Sequence, residues 1–143
     1  MAGFTYSGLK TGIQNYLDNT ETTFVNTLDT FIQTAEERVL KAVQLPVFRK
    51  NVTGSLTADN AYLATPSDFL SPYSLAFLDS SSNYSYLLLK HVSWIRDYTP
   101  AAATTGEPLY YSQFDDTTFM VAPTPSSDST VELHYYYRPA SLT

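Results

Sequence analysis

The sequence contains no cysteine and only two histidines, His91 and His134. The missing thiols exclude disulfide bonds, cysteine zinc sites and thiol catalysis, and they leave the redox compartment open. Two histidines are too few for a histidine-rich metal site. The five glycines are scattered along the chain and form no phosphate-binding loop. We therefore expect no metal, no cofactor and no catalytic residue.

Long apolar runs and an excess of positive charge are also missing. No stretch approaches the roughly 20 apolar residues that a membrane span needs. The first ten residues lack the charged and apolar regions of a secretory signal. The formal net charge is −6, so the chain has no general attraction for phosphate backbones. These features predict neither a membrane partner nor a protein that wraps or reads nucleic acid. An acidic wall past which DNA slides is compatible with this charge.

Aromatic residues are abundant: the 143 residues include 12 Tyr, 8 Phe and 1 Trp. Aromatic rings favour β-strands, and tyrosine is common at interfaces because it joins an apolar ring to a polar tip. A chain of this length is one domain by size. The composition therefore predicts a compact β-rich domain with a surface suited to protein contacts.

Residues 1–46 are predicted to form an N-terminal helical segment. Apolar residues follow helical spacing from Thr5 to Leu17, where Thr5 or Ser7 can cap the first turn, and again from Thr22 to Gln44. The second, longer helix is expected to end at Leu45-Pro46, because the residue before a proline is pushed out of the α region. Four apolar residues of this helix are predicted to face the core: Phe24, Leu28, Phe31 and Ile32.

Residues 47–143 are predicted to form an antiparallel β domain, either a sheet or a sandwich, with one short helix inserted within residues 90–98. The expected strands are residues 48–57, 61–63, 73–78, 84–89, 108–114, 118–122 and 130–138. The first four are interpreted as two hairpins and the last three as an antiparallel meander. Helices that precede an antiparallel sheet define an α+β fold, here expected to be one compact unit.

Two local patterns could suggest catalysis and are interpreted as structural. His134 lies in the middle of a predicted strand, outside any nucleophile-elbow context. Asp115 and Asp116 are adjacent in a predicted turn, where their side chains point apart, whereas a glycosidase needs carboxylates that face each other across a cleft. We therefore predict that the chain is not an enzyme.

Five segments stand out by their order along the chain: TFIQTAEERVLKAVQLP (residues 30–46), YLATPSDFLSPYSL (62–75), WIRDYTP (94–100), GEPLYYSQFDDTTFMVAPTP (106–125) and VELHYYYRPASL (131–142). Together they resemble the head-to-tail adaptor, or connector, proteins of tailed bacteriophages. The resemblance covers nearly the whole chain. Members of that family usually continue past the last segment into a further helical region, whereas this sequence ends at Thr143. We therefore expect an unusually short member, or a sequence given only to its ordered end.

The resemblance implies a structural virion protein at the head-tail junction, assembled in the host cytoplasm. Such adaptors form a ring, typically a dodecamer, that joins the portal protein to the tail or nozzle protein. The ring keeps the DNA channel continuous during genome retention and ejection, so DNA would pass through its lumen without specific binding. The negative charge of this chain suggests an acidic lumen that repels DNA.

The candidate interface residues lie on the predicted helix surface and among the aromatic residues. They are Glu36, Arg38, Lys41, Trp94, Tyr110, Tyr111 and Tyr136. The same aromatics support an alternative, a carbohydrate-binding β module of a phage tail, because tyrosine and tryptophan rings can stack on sugars. A glycan-degrading enzyme is the least favoured hypothesis. The sequence does not assign individual residues to the portal or to the tail, and it leaves open whether a ring forms without the portal.

Overall fold

The computed structural model describes residues 5–79, 81–101 and 103–141 and has the predicted α+β class. The ends of the two predicted segments, residues 1–4 and 142–143, lie outside the described residues. The chain divides into two compact units. The first contains the N-terminal helices up to Gln44 together with the residues that follow Arg138, and the second runs from Leu45 to Arg138.

The first unit contains two helices, α1 (Tyr6–Leu17) and α2 (Thr22–Ala42). Thr5 caps α1 as predicted, because its Oγ1 accepts a hydrogen bond from the Gly8 amide at 3.1 Å. The helix ends at Asp18, which adopts the left-handed conformation with φ 48°. Helix α2 was expected to reach Gln44 and ends two residues earlier, since the chain is already extended at Val43.

Asp29 of α2 joins the two helices. Its Oδ1 accepts a hydrogen bond from Lys10 Nζ at 2.7 Å and another from the Tyr6 hydroxyl. The Lys10 hydrogen bond, followed by that of Tyr6, holds the pKa of Asp29 below its usual value. Burial and the same carboxylate raise the pKa of Tyr6 to about 12. Nearby on α2, Leu28 and Ile32 are buried, as predicted.

The second unit is a seven-stranded sheet that curls into a nearly closed barrel. Its main strands are β1 (Arg49–Leu56), β2 (Tyr62–Ala64), β3 (Phe69–Leu78), β4 (Tyr84–Leu89), β6 (Tyr110–Asp115), β7 (Thr118–Ala122) and β9 (Ser129–Tyr137). Two short strands, β5 (Thr105–Gly106) and β8 (Thr124–Pro125), pair separately in parallel. A 3-10 turn, Pro46–Phe48, precedes β1, and helix α3 (Val92–Tyr98) follows β4.

The strand order, β1-β9-β3-β4-β6-β7-β2, corrects the predicted meander. Strands β6 and β7 pair antiparallel as expected, but β9 lies between β1 and β3 instead of beside β7. Strand β9 has nine residues, and β1 and β3 have eight and ten, whereas β7 has only five. Strand β9 therefore pairs with strands of similar length, β1 and β3, on its two sides. The short turn before β9 did not indicate these partners.

The predicted hairpin of residues 48–57 with 61–63 is also wrong. Strand β1 pairs with β9 and β2 pairs with β7, so the two strands lie at opposite edges of the sheet order. These edges approach each other, and a Cβ added to Gly54 would lie 3.7 Å from Leu63 Cδ1. Strands β4 and β6 run parallel, in contrast to the expected antiparallel sheet, because α3 carries the chain back along the outside of the barrel.

The hairpin of β3 and β4 is confirmed, with Leu75 opposite Leu87. Asp79 forms its turn, since its Oδ1 accepts hydrogen bonds from the amides of Ser81 and Asn83, each at 2.8 Å. Hydrogen bonds from Asn83, first from its side chain and then from its backbone, lower the pKa of Asp79. The turn therefore fixes the register between the two strands.

Alternate residues of each strand fill the barrel. Val131, Leu133 and Tyr135 of β9 are buried on one face, as their spacing predicts. The other members of this core are Leu56, Leu63, Leu75, Phe77, Leu87, Tyr111, Phe119 and Val121. Phe119 is central, because its ring packs edge-on against Phe69 at 5.2 Å and Tyr111 at 5.6 Å between ring centroids.

Lys50, Asp68 and Tyr135 form a charged cluster at one end of the barrel, which we name the lock. Tyr135 donates a hydrogen bond of 2.8 Å to Asp68 Oδ1, and Lys50 Nζ lies 2.5 Å from Asp68 Oδ2. The Lys50 hydrogen bond is the main cause of the lowered pKa of Asp68. Burial, followed by the hydrogen bond to Asp68, raises the pKa of Tyr135 to about 12. A backbone hydrogen bond of 2.7 Å from the Arg138 amide to the Asp68 carbonyl also stabilises this end of the barrel.

We predict that Gly12→Ala stabilises α1 by roughly 1 kcal/mol, because alanine restricts the unfolded chain more than glycine does. A Cβ at Gly12 meets no atom within 4 Å. Thermal unfolding followed by far-UV circular dichroism measures the effect. Gly8→Ala is the matched control and should stabilise less, since its Cβ would lie 3.0 Å from the capping Thr5 Oγ1. Equal gains from both variants would contradict the capping geometry.

The lock also predicts that the stability of the folded protein depends on pH. Because the pKa of Asp68 is lowered in the folded protein, its contribution to stability is present above the unfolded pKa of about 3.9 and is lost as the pH falls through the lower folded pKa. Asp68→Asn should therefore be less stable than the parent protein at neutral pH, and the difference should shrink in acid. Urea unfolding at several pH values measures this, with Asp116→Asn at an exposed turn as the control. A pH-independent difference would contradict the prediction.

Candidate functional site

The outer face of β4 carries a row of exposed apolar side chains, Tyr84, Tyr86 and Leu88, which we name the β4 row. Their side chains are 54%, 64% and 58% exposed, whereas Leu87 between them points into the barrel and is buried. The period of two in a strand places all three on one face. Single exposed apolar residues are common on protein surfaces, whereas three on one face form a candidate contact surface.

A polar network flanks the Tyr84 end of the β4 row. The Glu132 carboxylate accepts hydrogen bonds from the Tyr84 hydroxyl at 3.1 Å and from Asn51 Nδ2 at 3.0 Å, and His134 Nε2 lies 2.8 Å from its Oε1. The contact with His134 is the main cause of the lowered pKa of Glu132. The hydrogen bond to Glu132 in turn raises the pKa of Tyr84. This end of the row therefore carries a fixed negative charge.

Helix α2 exposes a second apolar row, Phe31, Ala35 and Val39, which we name the α2 row. The spacing of four residues places them on one side of the helix. Phe31 and Val39 are 56% and 54% exposed, so the prediction that Phe31 faces the core is wrong. Arg38 is also exposed and shares the Phe31 side, seven residues further on. Sequence periodicity identified the stripe but could not show which part of it stays uncovered.

Trp94, Tyr98 and Tyr110 form an aromatic cluster where α3 packs on the sheet. The Trp94 and Tyr98 rings are stacked at 5.1 Å, and the Tyr110 ring meets both edge-on at 4.7 and 5.0 Å between ring centroids. Lys90 Nζ lies 5.2 Å from the centre of the Trp94 ring. Beneath the cluster, α3 buries Ile95 against the sheet. The structure thus brings together two predicted interface residues, Trp94 and Tyr110.

The other predicted aromatic residues do not reach the surface. Tyr111 and Tyr136 are 3% and 6% exposed. Tyr111 points into the barrel core, whereas Tyr136 lies on the outer face, covered by the Tyr73 ring at 6.1 Å and by Arg49, whose Nε donates a hydrogen bond of 3.3 Å to its hydroxyl. Because both rings are buried by contacts within the chain, we leave Tyr111 and Tyr136 out of the candidate interface.

Among the three predicted charged residues of α2, Arg38 and Lys41 are neighbours at i,i+3, whereas Glu36 lies on another side of the helix. Glu36 is half-buried, and its Oε2 accepts a hydrogen bond of 2.7 Å from Ser141 Oγ. Lys41 Nζ lies 3.6 Å from Glu37 Oε2 in the predicted i,i+4 pair. Arg38 is exposed on the Phe31 side of the α2 row, and Glu36 is the i,i+3 neighbour of Val39. Sequence reasoning missed the β4 row, although the alternation Tyr84-x-Tyr86-x-Leu88 is visible in the sequence and predicts a shared face.

Two clefts indent the barrel unit. The larger, about 520 Å³, lies at the barrel end opposite the lock and is lined by Asp79, Glu107 and Asp128 among others. Asp79 caps its own turn, and Asp128 Oδ1 accepts a hydrogen bond of 2.8 Å from the Ala58 amide. The smaller, about 170 Å³, lies beside α3 and is lined partly by Arg96. Across residues 5–79, 81–101 and 103–141, no group of three or more potential metal ligands is present.

The exposed rows and the aromatic cluster are candidate contact surfaces of this α+β protein. The chain belongs to the SU10 adaptor protein family, which it matches over residues 4–143. It is therefore a bacteriophage structural protein of the adaptor type, as the sequence resemblance predicted, and the family indicates a location in the virion. No curated protein matches the chain. In the part of the chain that the structure describes, no helix is both long and apolar enough to cross a membrane.

The aromatic cluster can be tested through Trp94, the only tryptophan in the chain. Tyr110→Ala removes two edge contacts, each worth roughly 0.5–1.5 kcal/mol beyond area burial, so we expect a loss of about 1–3 kcal/mol in addition to the loss of buried area. The Trp94 emission should also shift to longer wavelength, because the ring becomes more hydrated. Urea unfolding followed by fluorescence measures both effects.

Tyr86→Ala is the matched control for this experiment, since it removes an exposed tyrosine outside the cluster. It should leave the emission maximum unchanged. An unshifted emission in Tyr110→Ala would contradict the packing of the cluster.

Proposed function

We propose that this protein is a structural head-to-tail adaptor that assembles as a ring between the portal and the tail or nozzle. The observation that carries the proposal is the family match over residues 4–143. The exposed rows on α2 and β4 support it, because a ring subunit must offer apolar surface to its neighbours. In this role the protein has no enzymatic activity and works by joining two assemblies around a continuous DNA channel.

The ring is proposed to be a dodecamer with DNA passing through its lumen. The net charge of −6 supports a lumen that does not bind DNA, because like charges repel and a sliding duplex then meets no fixed cation. Partner binding would take place during assembly in the host cytoplasm, before the tail is attached. The dodecamer, the DNA-filled lumen and assembly in the cytoplasm all follow from the proposed adaptor function.

The carbohydrate-binding alternative receives no support from the aromatic cluster. A sugar platform needs an open ring face, and the Trp94 face is stacked by Tyr98 at 5.1 Å, while Lys90 also lies over the ring. Tyr136, the second candidate for such a platform, is buried. We therefore propose only the adaptor function.

Native mass spectrometry of the purified chain, alone and mixed with its portal, tests this function. Twelve copies of 16.0 kDa give a ring of about 192 kDa, and we expect this mass or its complex with the portal. A heat-treated portal that has lost its folded structure is the control and should not bind. A chain that stays monomeric and ignores the folded portal would refute the adaptor proposal, and measured glycan binding would then favour the alternative.

A further inference from the structure

A closed ring of identical subunits uses two different surfaces on each copy, one for each neighbour. The chain presents two such surfaces, the α2 row on the first unit and the β4 row on the second. Both rows are more than half exposed at their large side chains. We propose that the α2 row of one copy packs against the β4 row of the next copy, an inference that rests on the proposed ring.

The two rows have matching lengths. Phe31 and Val39 are eight residues apart on a helix, which corresponds to about 12 Å. Tyr84 and Leu88 are four residues apart on a strand, which corresponds to about 13–14 Å. Three side chains of one row can therefore meet three of the other without a register mismatch. A symmetric contact of α2 with α2 would leave the β4 row uncovered.

The shapes of the rows are complementary as well. The α2 row has a small residue, Ala35, between the large Phe31 and Val39, which leaves a depression in the middle. The β4 row has its most exposed tyrosine, Tyr86, in the middle. The Tyr86 ring fits into the depression at Ala35, in the same way that a large side chain packs between its neighbours on a facing helix.

Charge fixes the direction of the contact. Arg38 is exposed at the level of Val39, at the C-terminal end of the α2 row, whereas Glu36 at the same end is half-buried and accepts a hydrogen bond from Ser141. Glu132 and Asp79 place carboxylates at the Tyr84 end of the β4 row, whereas Lys90 follows its Leu88 end. Opposite charges attract and like charges repel across an interface. Val39 therefore meets Tyr84, and Phe31 meets Leu88.

Engineered cysteines test this direction, because the chain has no cysteine and every disulfide between its copies must come from the introduced residues. Val39→Cys with Tyr84→Cys should give a ladder of cross-linked copies under mild oxidation, in the absence or presence of the portal. Val39→Cys with Leu88→Cys is the matched control and should cross-link much less. Stronger linking in the control pair, or linking of Val39→Cys alone, would overturn the proposed contact.

A second variant tests the depression at Ala35 without cross-linking. Ala35→Phe should reduce the ring-sized fraction in native mass spectrometry at least tenfold, because Tyr86 no longer fits. Thr30→Phe adds the same ring at an exposed position on the opposite side of α2 and should leave assembly unchanged. Far-UV circular dichroism confirms that both variants fold.

The outcomes separate this inference from the proposed function. Intact rings formed by Ala35→Phe, or rings that show no disulfide between the paired rows, would overturn the row-to-row contact and leave the adaptor function standing. Linkage of the β4 row to the portal alone would also overturn it. If the parent chain forms no ring and does not bind the portal, the adaptor function itself fails.

Discussion

The barrel depends on strand β9, which is paired with β1 on one side and with β3 on the other. Its inward face, Val131, Leu133 and Tyr135, fills the core, and β1 and β3 pair with it along nearly its whole length. Tyr135 also reaches the lock at Asp68, so one strand joins the apolar interior to the charged end. A core substitution in β9 therefore affects two sheet pairings and the barrel end together.

Local patterns in the sequence predicted elements more reliably than their pairing. Period 3.6 identified both N-terminal helices, and turn residues identified the β3-β4 hairpin, because each pattern depends on neighbours in the chain. The position of β9 depends on partners about 50 to 90 residues away, and its turn with β7 suggested the wrong neighbour. The parallel pairing of β4 with β6 was missed for the same reason, since a helix separates them in sequence.

Sequence patterns were also limited in predicting the exposed surfaces. Periodicity shows that residues share a face, but exposure depends on which other element covers that face. Phe31 and Leu28 belong to one helical stripe, yet only Leu28 is buried. Tyr111 and Tyr136 were chosen because tyrosine is common at interfaces, and both are used inside the chain. The family, in contrast, could be recognised from the order of motifs along the chain, which needs no knowledge of packing.

The ion pair between Lys50 and Asp68 also bears on the behaviour of the free subunit. Strand β1 lies at an edge of the sheet order, and such an edge can pair with any other extended chain. A charged residue on an edge strand disfavours that pairing, because a new neighbour would have to desolvate the lysine and the carboxylate that it already contacts. The Lys50–Asp68 pair therefore makes this edge of the barrel a poor template for a further strand.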